Sequence, residues 1–187
     1  LCDPATDGRD TPFFTDGPRC SSLAFSPDDR FLATDTNGTT VAVIEVATRN
    51  VVAHLEGASG WIRDLAFQPG RVNPYVLAGA GFDKTVHIWE FEVSESFESG
   101  VTWKLIHNFG GHSAPVFALD YSNDGSVLTS ASGDSCLRQW ETGEDRSALR
   151  WPDEGTVFDL LVTHDGNQIV SAKGDRGFDI TVRDTRT

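Results

Sequence analysis

One short motif recurs four times along this chain, and the recurrence constrains the fold more than any other feature. CSSLAF (20–25), IRDLAF (62–67), VFALDY (116–121) and VFDLLV (157–162) align with a leucine in fourth place. These leucines, Leu23, Leu65, Leu119 and Leu160, are spaced by 42, 54 and 41 residues. A polar turn follows each motif: SPDDR (26–30), QPGRVNP (68–74), SNDGS (122–126) and THDGN (163–167). Such residues set or tolerate the backbone angles of tight turns. A second apolar run comes next: FLATD (31–35), YVLAGA (75–80), VLTSAS (127–132) and QIVSAK (168–173). The third is TVAVIEV (40–46), TVHIWEF (85–91), CLRQWE (136–141) and DITVRD (179–184). A weaker fourth run closes the first three copies: VVAHLE (51–56), TWKLIHNF (102–109) and SALRW (147–151). The runs are short, β-branched or aromatic, and bounded by turn formers, so they read as strands. Nothing sustains the apolar spacing of a long helix. One four-strand unit leaves both faces of its sheet uncovered. Stability therefore requires stacking neighbouring units, the logic of repeat architectures.

Composition limits what the stack can do. The 28 acidic residues outnumber the 15 lysines and arginines, for a net charge of −13. Phosphate backbones are gripped by clustered Lys and Arg, so no nucleic-acid partner is expected. No apolar run approaches the length of a membrane span, and none is expected at a membrane. Cys2, Cys20 and Cys136 are odd in number and widely spread, which reads as free thiols in a reducing, intracellular compartment, cytoplasmic or nuclear. No His/Cys cluster has metal-ligand spacing, so neither metal nor cofactor is expected. The sequence contains no methionine, so Leu1 is expected to lie downstream of a native start.

The third copy carries further signals: Gly111-His112 before its first strand, Asp134 in a turn, and the closing pair Trp140-Glu141. On these residues the chain resembles the WD-repeat β-propeller family. The second copy keeps Asp83 and Trp89-Glu90 but has Gly57-Ala58 in place of Gly-His. The outer copies are eroded, with Ile44-Glu45 and Arg183-Asp184 at the closing pair. The resemblance implies an all-β propeller of four-stranded antiparallel blades. Four are present, at about 16–56, 57–109, 110–151 and 152–187, within a repeat segment 11–187 that follows a linker, 1–10. Family rings have about seven blades. The four copies are therefore expected to form part of a larger ring, pairing with further blades or with a second copy. TPFFT (11–15) is placed as an outer strand.

His112, Ser130, Ser132 and Asp134 also compose a Ser/His/Asp set. A hydrolase needs an exposed nucleophile and preorganised oxyanion donors. No GxSxG elbow occurs here, and the fold has no strand-to-helix turn to build one. The resemblance implies the other role: His112, Ser130, Asp134 and Trp140 as a buried hydrogen-bonded tetrad that fixes one packing. In the second copy Ala58 cannot donate, so that tetrad is expected to be broken and packing to carry the blade.

Function is then expected on the loops. The resemblance puts the residue leading into each first strand, the residue two further on, and the one before the turn aspartate on one rim. These are Trp61, Arg63 and Phe82; Pro115, Phe117 and Gly133; and Thr156, Phe158 and Gly174. Aromatics beside an arginine have the composition of an interface hot spot. The plainer alternative is that Phe117 and Phe158 pack between blades. A second candidate is the insertion FEVSESFESG (91–100), with Glu92, Glu95 and Glu98, which suits a basic partner or phosphorylation at Ser94, Ser96 and Ser99. Its alternative is a solvated loop. The expected function is a non-catalytic scaffold presenting these loops to protein partners in a complex. The alternative is a regulatory or substrate-recruiting segment of a larger enzyme.

Overall fold

A computed structural model describes residues 20–94, 100–142, 146–152, 155–174 and 179–185. The described residues form fifteen strands and no helix. They make four antiparallel sheets, each a meander in chain order. The first holds β1 (Leu23–Phe25), β2 (Phe31–Thr36), β3 (Thr40–Glu45) and β4 (Asn50–Leu55). The second holds β5 (Ile62–Phe67), β6 (Tyr75–Gly81), β7 (Val86–Val93) and β8 (Val101–Phe109). The third holds β9 (Val116–Tyr121), β10 (Val127–Ser132), β11 (Cys136–Glu141) and β12 (Arg146–Pro152). The fourth has three strands, β13 (Val157–Val162), β14 (Gln168–Lys173) and β15 (Asp179–Asp184). These sheets are propeller blades, and we refer to them as blades one to four. The linker 1–10 and TPFFT lie outside the described residues.

The core lies between blades, as the repeat logic demands. Between blades one and two an aromatic knot forms. Tyr75 stacks on Phe91 at 4.9 Å, and Phe31 meets both edge-on. Between blades two and three Phe109 stacks on Trp140 at 5.0 Å, with Leu119, Tyr121 and Leu128 around them. Between blades three and four the contact is smaller and mostly aliphatic: Ala118, Ala131, Leu137, Val157, Leu160 and Ile169. The first strands follow one another as neighbours, β1 on β5, β5 on β9 and β9 on β13. Large apolar side chains are exposed in both end blades: Leu23 and Phe25 in blade one, and Leu161, Ile180 and Val182 in blade four.

Carboxylates tie these first strands together. Asp64 of β5 accepts the Ser22 hydroxyl at 3.2 Å and the Leu119 N–H at 2.7 Å. It thereby touches blades one and three at once. Asp120 of β9 accepts the Val162 N–H at 2.6 Å. Burial pushes both carboxyls above the ordinary range, and the charge of Asp159 adds to it. Their backbone hydrogen bonds pull the other way without prevailing.

The structure redraws the insertion. Phe91, Glu92 and Val93 belong to β7, where Glu92 pairs with Thr102 across the ladder. The extra residues have lengthened the paired strands, which run to Val93 in β7 and from Val101 in β8. Glu92 is thus an exposed strand residue rather than a loop residue. Glu95 and Glu98 lie outside the described residues.

Candidate functional site

The polar set in blade three converges on a single chain of hydrogen bonds. His112 stands ahead of β9, Ser130 is in β10, Asp134 lies in the β10–β11 turn, and Trp140 is in β11. His112 Nδ1 lies 3.0 Å from Asp134 Oδ2, and its Nε2 lies 2.8 Å from Ser130 Oγ. A carboxylate only accepts, so Nδ1 carries the hydrogen, and a neutral ring then accepts the Ser130 hydroxyl through Nε2. Trp140 Nε1–H donates to the same serine oxygen at 3.0 Å. Burial alone would raise the Asp134 carboxyl; the Ser113 N–H, His112 and Ser132 outweigh it and hold the pKa below the usual value. Ser130 is fully buried, as is the His112 side chain. The Ser/His/Asp set therefore offers a substrate no exposed nucleophile. Ser132 Oγ accepts the Asp134 N–H and lies within hydrogen-bond reach of the Ala114 and Pro115 carbonyls, so it too is engaged within the blade.

Blade two departs from the expectation of a broken network, because different residues have rebuilt it. Ala58 stands where the histidine would be, and Gly79 occupies the register position of Ser130, opposite its blade's third strand. The histidine comes instead from β7. His87 Nε2–H donates to Asp83 Oδ2 at 2.8 Å, while Nδ1 lies 2.6 Å from the Asn108 amide oxygen. His87 stacks on Trp89 at 5.5 Å, and Trp89 Nε1–H turns to the Glu56 carbonyl at 2.7 Å. Burial again works to raise the Asp83 carboxyl, and His87 and the Ser59 N–H bring it below its ordinary value. The glycine is required by this arrangement. A Cβ at Gly79 would stand 2.7 Å from the Trp89 ring. His87 was legible as Asp83-x-x-x-His87, but a histidine inside an apolar strand gave no reason to pair it with a turn aspartate.

The rim residues lie at the same end as the turn aspartates, where each first strand begins. The same backbone hydrogen bond recurs in three blades: Phe82 N–H to Trp61 O, Gly133 N–H to Pro115 O, and Gly174 N–H to Thr156 O, at 2.8–3.2 Å. It ties the start of each first strand to the turn between the second and third. In blade two this approach is so close that a Cβ at Gly81 would overlap the Trp61 carbonyl. The positions of Trp61, Pro115 and their turn partners are thus fixed by backbone rather than by side-chain packing.

These positions line up rings from several blades. Trp61 meets Phe82 edge-on at 6.2 Å, Phe82 meets Phe117 edge-on at 6.5 Å, and Phe117 lies 5.7 Å from Phe158. Trp61 is 68% exposed, and Phe82 and Phe158 are about half exposed. Phe117 and Pro115 are half-buried. A cleft of about 500 Å³ opens beside Trp61, with Arg63, Asn37 and Phe82 among its walls.

With strands, tetrad and rim in place, comparison with known proteins is direct. The family model described as WD domain, G-beta repeat matches residues 49–90 and 103–141. The chain contains WD repeats in these two stretches. Each matched stretch spans the last strand of one blade and three of the next, so each repeat joins two blades covalently. Similar proteins include small ribosomal subunit protein RACK1 of Candida albicans, 39% identical over 48% of this chain and 27% of its own length. Anaphase-promoting complex subunit cdc20 of Dictyostelium discoideum is 27% identical over 67% of this chain and 22% of its own. Protein transport protein sec13 of Emericella nidulans is 29% identical over 52% of this chain and 29% of its own. The WD-repeat chain thus spans less than a third of the length of each of these relatives. Among the described residues no helix is long and apolar enough to cross a membrane.

Proposed function

We propose that this WD-repeat chain is a non-catalytic interaction scaffold in a multiprotein complex. Its partner surface is the rim formed by Trp61, Arg63, Phe82, Pro115, Phe117 and Phe158. One observation carries the reading: an unbroken row of aromatic rings crosses three blades on one face. Exposed aromatic rows of this kind are unusual on a soluble surface and mark interaction sites. The rigid strand starts beneath them suit the role, because order already present costs nothing at binding. Two of the similar proteins are named as components of assemblies, the small ribosomal subunit and the anaphase-promoting complex, which agrees with work inside an assembly. The Ser/His/Asp set belongs to the blade interior and gives an enzymatic reading no support.

The test is photocrosslinking from two faces. A photoreactive phenylalanine analogue at Phe158 is expected to trap a partner protein. The same group at Asn123, in the turn at the opposite end of β9, is expected not to. Capture from 123 and none from 158 overturns the assignment of the face.

A further inference from the structure

The cleft beside Trp61 has a chemistry that the composition of the chain conceals. We infer that it binds an acidic peptide carrying an aromatic or large aliphatic side chain. The inference rests on the rim reading above and adds the class of ligand.

Shape gives the apolar half of the argument. The Trp61 ring lies against the backbone of Gly38, so near that a Cβ on that residue would meet the ring at 2.5 Å. Gly38 has φ of +87°, a conformation that other residues rarely adopt. The ring's exposed side and the Phe82 edge make two walls of a cleft of about 500 Å³. That volume is within the range of ligand sites. It accommodates a short stretch of peptide, too large a space for a single ion.

Hydrogen-bond supply gives the charged half. Among the described residues Asp35 lines the cleft and Asp83 follows its wall residue Phe82, and both carboxylates are hydrogen-bonded. Asp35 is buried and accepts the Ser21 and Ser22 N–H groups and the Ser21 hydroxyl. Asp83 is held by His87, Ser59 and Thr85. The donors are not occupied. Arg63 lines the cleft, exposed, and Lys84 sits exposed in the turn that carries Phe82. Among the described residues neither side chain has a partner. Asn37, also exposed at the cleft, adds an amide able to meet a peptide backbone. A guanidinium beside aromatic faces pairs with a carboxylate through its planar fork. The chain has a net charge of −13, which by itself favours basic partners. The exposed Arg63 and Lys84 head groups oppose that preference locally.

Two fluorescein-labelled decapeptides test this on the full chain by anisotropy. One alternates Glu with Phe and Leu; in the other every Glu is replaced by Lys. The acidic peptide is expected to bind about ten-fold tighter, the size of one charge-assisted hydrogen bond, and to weaken as salt rises. Arg63→Glu, an exposed change with no packing role, is expected to reverse the order while the melting temperature stays unchanged. Equal or tighter binding of the lysine peptide overturns the inference, as does an Arg63→Glu Kd within two-fold of wild type. So does the absence of binding by either peptide. Trp61→Ala separates the two levels. If both peptides bind alike and both are lost in Trp61→Ala, the rim reading stands and the acidic class falls. If the acidic peptide binds Trp61→Ala as well as wild type, both fall.

Discussion

Blades two and three carry the same burden with different atoms. Each buries a tryptophan and a turn aspartate that must find hydrogen-bond partners. Blade three supplies them through His112 and Ser130, one histidine bridging carboxylate and hydroxyl. Blade two has neither residue. It supplies His87 and Asn108 from a cross-strand pair, and a backbone carbonyl, Glu56, for the indole. Conservation of the physical requirement does not need conservation of the motif. A buried polar group must be paired, and a strand register offers more than one residue that can do so.

Removing the shared element should give the largest effect. Trp89→Ala and Trp140→Ala each delete a fully buried indole, and each is expected to cost about 3–5 kcal/mol in urea denaturation. A value below about 1 kcal/mol for either would break the equivalence of the two blades.

Next come the unlike histidines. His87→Ala and His112→Ala are each expected to cost about 1–3 kcal/mol by stranding a carboxylate. Their effects should add, since the two networks share no partner. Ala58→His is expected to restore nothing in His87→Ala, because Gly79 offers no hydroxyl to complete the older network. Rescue by that substitution would show blade two to be a damaged copy of blade three rather than a rebuilt one. Gly79→Ser should itself destabilise by about 1–3 kcal/mol through overpacking on Trp89.

pH sharpens the comparison with the inter-blade carboxylates. Asp83 and Asp134 have lowered pKa values in the fold. Their stabilisation is present above the unfolded value of about 3.9 and is lost as pH falls through the folded one. Asp64 and Asp120 are raised, so they act with opposite sign: their effect on stability worsens as pH rises from the unfolded value through the folded one. Urea midpoints between pH 3 and pH 6 should therefore fall less steeply on acidification in Asp134→Asn, and more steeply in Asp64→Asn. The same slope change in both variants would refute the opposite assignments.

The smallest effect belongs to the rim. Phe158→Ser, at a half-exposed position, should move stability by no more than about 0.5 kcal/mol while reducing partner capture. A large loss of stability would return Phe158 to the interblade core.

Much of this was legible in the chain. The leucine in fourth place of each copy, the Gly/Asp turns and the alternating runs fixed fifteen strands in order, because strand periodicity and turn chemistry are local properties. The four residues His112, Ser130, Asp134 and Trp140 were legible because the third copy kept them all. Blade two's substitute network was not. His87 and Asn108 are 21 residues apart and meet only because β7 and β8 pair in one register. The insertion misled in the same way: FEVSESFESG looks like loop by composition, yet its first three residues extend a hairpin.

The sequence alone determined that this is an all-β array of repeated four-strand units, since no isolated unit covers its own faces. Only the tertiary structure decided which polar groups satisfy one another and which rings stand in a row. Those outcomes depend on distances between residues remote in the chain, set when blades stack and registers lock, and no local propensity encodes them. The row from Trp61 to Phe158, and the place of the exposed Arg63 beside it, exist only at that level.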